Sequence, residues 1–125
     1  MRKMIIELGH LPDPDLNPNK RLHYMKLASA KRLAKDEAMA LVYEQVGMKG
    51  RPETPYESAH ITITFVAGDA RRRDVDNCFS SMKSFIDGLV AAGLIADDSA
   101  MHVSYTLRYE RGDKNNTIIE IEEKK

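Results

Sequence analysis

Hydrophobic residues recur along this chain with two different periods, and the change of period marks the elements. Ala59 to Val66 alternates strictly, with Ile61, Ile63 and Phe65 on one side and His60, Thr62 and Thr64 on the other, which predicts a half-buried strand. His102 to Tyr109 alternates again, and Val103, Tyr105, Leu107 and Tyr109 are predicted to face inward. After the turn Arg111 to Asn116, Thr117 to Glu122 reads as a last strand, expected to pair with the preceding one as a hairpin. Met4 to Leu8 reads as a short first strand, closed by Leu11-Pro12-Asp13-Pro14. Two stretches follow a three- and four-residue period instead. From about Leu22 to Val46 the apolar stripe is Leu27, Ala30, Ala34, Ala38 and Leu41; from about Val75 to Ala92 it is Val75, Phe79, Met82, Ile86 and Leu89. Gly47 and Gly50 end the first helix, Pro52 and Pro55 keep the connection irregular, and Gly93 caps the second. The tail Glu122 to Lys125 is expected to fray.

The predicted order is therefore β-α-β-α-β-β, an α/β chain of the α+β type with a mixed four-stranded sheet and two main helices. Its 125 residues, 42% of them hydrophobic, suit one compact domain spanning 1–125 with a core large enough to fold unaided. The single cysteine, Cys78, excludes an internal disulfide and a cysteine zinc cluster, and four scattered histidines show no ligand spacing. Glu7 interrupts the short apolar run of Met1 to Leu11, so neither a signal peptide nor a membrane span is expected and the reading is soluble and cytoplasmic.

Zero net charge argues against a nucleic-acid partner until its distribution is considered. Lys20, Arg21, Lys26, Lys31, Arg32 and Lys35 follow one another with no acid between them, and Arg71, Arg72 and Arg73 add a second block. A local positive field can meet phosphate whatever the overall charge. The plainer alternative is an ordinary solvated helix face.

The second basic block opens the most informative segment, Arg71-Arg72-Arg73-Asp74-Val75-Asp76-Asn77, followed by Lys83, Asp87 and Asp97-Asp98. Unpaired charges of this density do not belong in a core. Hard cations take oxygen ligands, often one or two carboxylates with substrate phosphate, so Asp74, Asp76 and an acid of the Asp97-Asp98 pair form a candidate divalent-metal set. At roughly 100° per residue, Asp76, Lys83 and Asp87 fall within about 40° of one another on a continuous helix. Asp74 and Asp76 stand at its start, where the dipole favours anions. Asp98 reaches them only if the following strand lies beside the one ending at Val66. Taken singly, an aspartate here reads equally as an N-cap, Lys83 and Asp87 as an i,i+4 pair, and Asp97-Asp98 as a turn. Cys78 reads as a small semi-buried side chain.

These residues resemble the RusA family of Holliday-junction resolvases, found in phages and prophages. The resemblance rests on Arg-Arg-Arg-Asp-Val-Asp-Asn, a lysine and an aspartate on the following helix, Gly-Leu-Val-Ala-Ala-Gly, the later Asp-Asp, and Leu11-Pro12 with Asn17-Pro18 before a basic stretch. It implies metal binding by Asp74, Asp76 and Asp98 and a cleavage role for Lys83. It departs at Lys83, which follows Asp76 by seven residues where the lysine of the family's best-known resolvase follows by one turn, a shift of roughly 5 Å along a helix.

The implied activity is a structure-selective endodeoxyribonuclease of recombination and repair, resolving four-way junctions by paired nicks that depend on Mg²⁺, with Mn²⁺ the other candidate. The basic residues named above would contact DNA phosphates, and two symmetric nicks imply a homodimer. The alternatives are a branched-DNA-binding protein without catalysis, and a small phage accessory protein whose acids hold a structural cation.

Overall fold

The computed structural model describes residues 2–46 and 54–124, so the helix-ending role of Gly47 and Gly50 and the place of Pro52 lie outside the described residues. Four strands, β1 (Lys3–Glu7), β2 (Ala59–Ala67), β3 (Val103–Arg111) and β4 (Asn116–Glu123), form one mixed sheet in the order β1-β4-β2-β3. Helix α1 spans Tyr24–Val46, and a 3₁₀ turn at Pro14–Leu16 precedes it. The α+β class, the mixed four-stranded sheet and the two helical stretches between the strands are those expected from the hydrophobic periods.

The alternation in β2 works as its sequence implies: Ile61, Ile63 and Phe65 are fully buried. Ile6, Ile119 and Ile63 lie in one row across three strands, and Ile121 and Ile61 in the next, so each strand adds to one apolar face. Ala38 and Val42 of α1 close over that face with Phe85, Ile86 and Leu89 of the later helical segment, in one buried cluster. The small side chains are needed there. A Cβ on Gly88 would stand 2.5 Å from the Lys35 carbonyl oxygen and 2.6 Å from the Ala38 Cβ, so the two helices meet at near-backbone distance.

Three expectations are corrected. The predicted second helix is two, α2 (Val75–Ser80) and α3 (Lys83–Ala91). At the break the Ser80 and Ser81 hydroxyls donate to the Asp76 and Asn77 carbonyls at 2.9 Å, bonds that bend or end a helix by competing for its i−4 acceptors. Gly93, at φ 82°, does end α3 as expected: its N–H donates to the Val90 carbonyl and that of Leu94 to Leu89, a Schellman pair.

The expected hairpin is absent. β3 runs parallel to β2, and β4 lies on the other side of β2, antiparallel to it and to β1. β4 carries Ile119 and Ile121, fit for an interior position, whereas Arg108, Glu110 and Arg111 at the end of β3 are exposed and charged, as an edge strand tolerates. The connection crosses the end of β2, where the Gly112 N–H donates to the Ala67 carbonyl at 3.0 Å. For the same reason the inward row of β3 is only partly covered, and Tyr109 is exposed.

The tail also departs from expectation, since β4 continues to Glu123. Arg2 forks that carboxylate, and the Lys124 N–H donates to the Ser58 carbonyl at 2.8 Å. Among the described residues no helix is long and apolar enough to cross a membrane.

Candidate functional site

The loop leaving β2 is built by one aspartate. Asp69 accepts both Arg73 Nη1 (2.8 Å) and Nη2 (3.0 Å), together with the Arg71 N–H, and Arg73 also donates to the Tyr109 hydroxyl at 3.2 Å. The Arg73 fork and the Arg71 N–H hold the Asp69 carboxyl down at about 2, and Arg73 is raised further above its already high value. Arg73 is therefore a structural staple with a largely covered side chain. Arg71 and Arg72 are both exposed, and Arg72 forms a 3.6 Å ion pair with Asp74.

Beside this loop runs an open groove of about 580 Å³. Arg71, Arg72, Asp74 and Asn77 line one wall, and Pro12, Pro14 and Asn17 the other. Asn19 Nδ2 donates to Asn77 Oδ1 at 3.3 Å across the two walls. His10 ties the opposite wall to α1 through Glu37, while its second ring nitrogen meets the Leu11 carbonyl, both at 2.7 Å. Burial alone would lower its pKa, but the Leu11 carbonyl and the Glu37 carboxylate outweigh it, and the net direction is upward. Cys78 also lines the groove; burial pushes its thiol up, which suits a packed side chain rather than a nucleophile.

Asp74 occupies the N-cap position of α2 with extended backbone, yet its carboxylate makes no capping hydrogen bond. Asp76, one residue inside the helix, is exposed and makes no side-chain hydrogen bond or ion pair among the described residues. Neither carboxylate accepts a hydrogen bond among the described residues, and although Arg72 forms a 3.6 Å ion pair with Asp74, both keep oxygens open to a hard cation completed by water and phosphate. The N-cap reading of Asp74 holds for its backbone, whose carbonyl accepts the Cys78 N–H at 3.1 Å, but leaves its carboxylate unexplained.

Asp98 is placed elsewhere. Because β3 is parallel to β2, its first residue Val103 lies beside Ala59, at the far end from Ala67 where the Asp69 loop begins. Asp98 meets α3 instead, and Lys83 Nζ stands 2.5 Å from its Oδ2 and 2.7 Å from Asp87 Oδ1. Asp87 and Asp98 raise the Lys83 pKa well above the usual lysine range, and Lys83 in turn lowers that of Asp98. The i,i+4 pairing of Lys83 with Asp87 is thus real, and the third partner is what periodicity could not supply. Among the described residues no three histidine, cysteine or acid side chains stand together as a metal-holding group, so Asp74, Asp76 and Asp98 are not gathered into one. The break between α2 and α3 likewise removes the shared helix face expected for Asp76, Lys83 and Asp87.

Of the expected DNA-contacting residues, Lys20 is paired with Asp15 at 2.7 Å and Arg73 with Asp69. Arg21, Lys26, Lys31, Arg32, Lys35 and Arg71 are exposed, with no ion pair among the described residues. Residues given no site role from the sequence, His10, Asn19, Asp69 and Asn77 (the last only closing the Arg71 to Asn77 string), prove to shape the groove. Only the i,i+4 spacing of Asp69 and Arg73 and the position of Asn77 beside Asp76 signalled them. No family model matches the chain, and no curated protein matches it.

Proposed function

We propose that this chain is a metal-dependent endodeoxyribonuclease that nicks four-way DNA junctions in recombination and repair, as its resemblance to the RusA resolvases implies. The observation that carries the proposal is the pair of exposed carboxylates, Asp74 and Asp76, neither accepting a hydrogen bond among the described residues, at the exit of a loop whose Arg71 and Arg72 line an open groove. Asp74 and Asp76 would hold Mg²⁺ or Mn²⁺, with oxygens of the DNA phosphate completing the shell. When bound, the ion supplies charge neutralisation at the phosphate and a more acidic water. Arg71 and Arg72 bind and orient the phosphate backbone, and Asn77 lies at hand to donate to it. Lys83 remains a cation at neutral pH, so its part is electrostatic rather than that of a base. A homodimer follows from the two symmetric nicks the reaction needs.

One observation favours a second reading, a branched-DNA-binding protein without cleavage: Asp98 is occupied by Lys83 and does not join Asp74 and Asp76. The deciding experiment incubates the purified protein with a synthetic four-way junction in Mg²⁺, in Mn²⁺ and in EDTA. Nicking that EDTA abolishes supports the nuclease. Junction binding with no nicking under any condition supports the second reading.

A further inference from the structure

Helix α1 begins on an exposed aromatic pair. The ring of His23 lies 4.7 Å from that of Tyr24, centroid to centroid, with the planes 29° apart. His23 is also the N-terminal cap of α1: its carbonyl accepts the Leu27 N–H, and its Nδ1 accepts the Met25 N–H at 3.3 Å. That second bond leaves the ring proton on Nε2 and fixes the imidazole, so the tyrosine rests against a ring that the helix itself holds in place.

Tyr24 is 74% exposed, and its hydroxyl makes no hydrogen bond among the described residues. Steps of four, three and four residues carry Tyr24 to Ala28, Lys31 and Lys35 along one strip of α1, and all four are exposed. Ala28 is too small to cover the ring, and the two lysines have no ion-pair partner among the described residues. An open, immobilised aromatic face followed by unpaired cations is the combination that stacks a base and holds the adjoining backbone. A core role is excluded by exposure, and a packing role against the rest of the chain by the open face.

We propose that Tyr24, backed by His23, is a stacking platform for an unpaired nucleobase, with Lys31 and Lys35 receiving the neighbouring phosphates. This rests on the DNA reading above and adds to it a preference for strands with exposed bases. The platform is within reach of the groove. Asn19, five residues before Tyr24, contacts Asn77 at the groove wall, and five residues span at most about 18 Å, or roughly five stacked base steps.

The test compares wild type, Tyr24→Ala and Tyr24→Phe on three DNAs: a fully paired duplex, a single strand carrying 2-aminopurine, and a four-way junction. Wild type should quench the 2-aminopurine. Tyr24→Ala should lose that quenching and bind the single strand and the junction about five- to a hundred-fold more weakly, with duplex affinity and its salt slope unchanged. Tyr24→Phe should behave as wild type, and far-UV circular dichroism should show α1 intact in both variants. The inference is overturned if Tyr24→Ala binds the single strand as well as wild type does, or if it loses duplex binding to the same extent. Failure of the wild-type protein to bind any of the three DNAs would overturn the DNA reading and this inference with it.

Discussion

Lys83 Nζ stands 2.5 Å from Asp98 Oδ2, joining the first residue of α3 to the loop that leads into β3. Asp87, one turn further along α3, shares the same ammonium at 2.7 Å. Two carboxylates on one cation leave the cluster negative, so it repels DNA phosphate as it stands unless a cation joins it.

Removing the lysine therefore separates two roles. Lys83→Ala should let the Asp98 carboxyl titrate closer to its ordinary value, measurable by carboxyl NMR, because the hydrogen bond that lowers it is gone. If Lys83 also acts in cleavage, single-turnover nicking of a junction at saturating enzyme should fall by about 10² or more. A shifted Asp98 titration with wild-type nicking would reduce Lys83 to a structural ion pair.

Asp76→Asn should abolish nicking and leave junction binding intact or slightly tighter. The amide keeps the shape of the side chain and loses the charge that attracts a cation and repels phosphate. Gel-shift and cleavage assays on one preparation check this, and full activity would remove Asp76 from the metal site.

Arg32 and Lys35 are exposed on α1 with no ion pair among the described residues. Replacing both by Ala should weaken binding to junction and duplex alike and make the slope of log K against log salt shallower, by about 0.9 for each phosphate that the protein no longer neutralises. An unaltered slope would return these residues to the solvated helix face.

The Asp69 and Arg73 fork gives a pH signature. The Asp69 carboxyl titrates at about 2 in the folded chain, below the roughly 3.9 of an unfolded aspartate. A depressed folded value stabilises the fold fully above about pH 4, and that contribution is lost as pH falls through about 2. Arg73→Ala should move the Asp69 midpoint back towards its ordinary value and free the Tyr109 hydroxyl. Carboxyl NMR on the two proteins reads the shift directly, and an unchanged midpoint would mean that the fork does not form in solution.

Much of this fold was legible before the structure, because burial has a period. The alternation of Ile61, Ile63 and Phe65 and the three- and four-residue steps of Leu27, Ala30, Ala34 and Ala38 state which side of each element meets the core. The charged run from Arg71 to Asp76 announced a surface site for the same reason: such residues are too costly to bury unpaired. The break within the long second helix was less legible, since Ser80 and Ser81 interrupt it only by donating to their own helix carbonyls.

Sequence by itself determined the four strands and two helical stretches, the apolar face of β2, and the presence of Asp74 and Asp76 beside arginines at a helix start. Which strand lies beside which, and hence where Asp98 falls, only the tertiary structure decided. Periodicity is a local property of hydrogen-bonded backbone, whereas the neighbours of β4 are chosen by burying Ile119 and Ile121 against strands distant in sequence. With β4 between β1 and β2, β3 is left on the edge and parallel to β2. Its approach then brings Asp98 to Lys83 rather than to Asp74 and Asp76, a pairing across fifteen residues that no spacing rule contains.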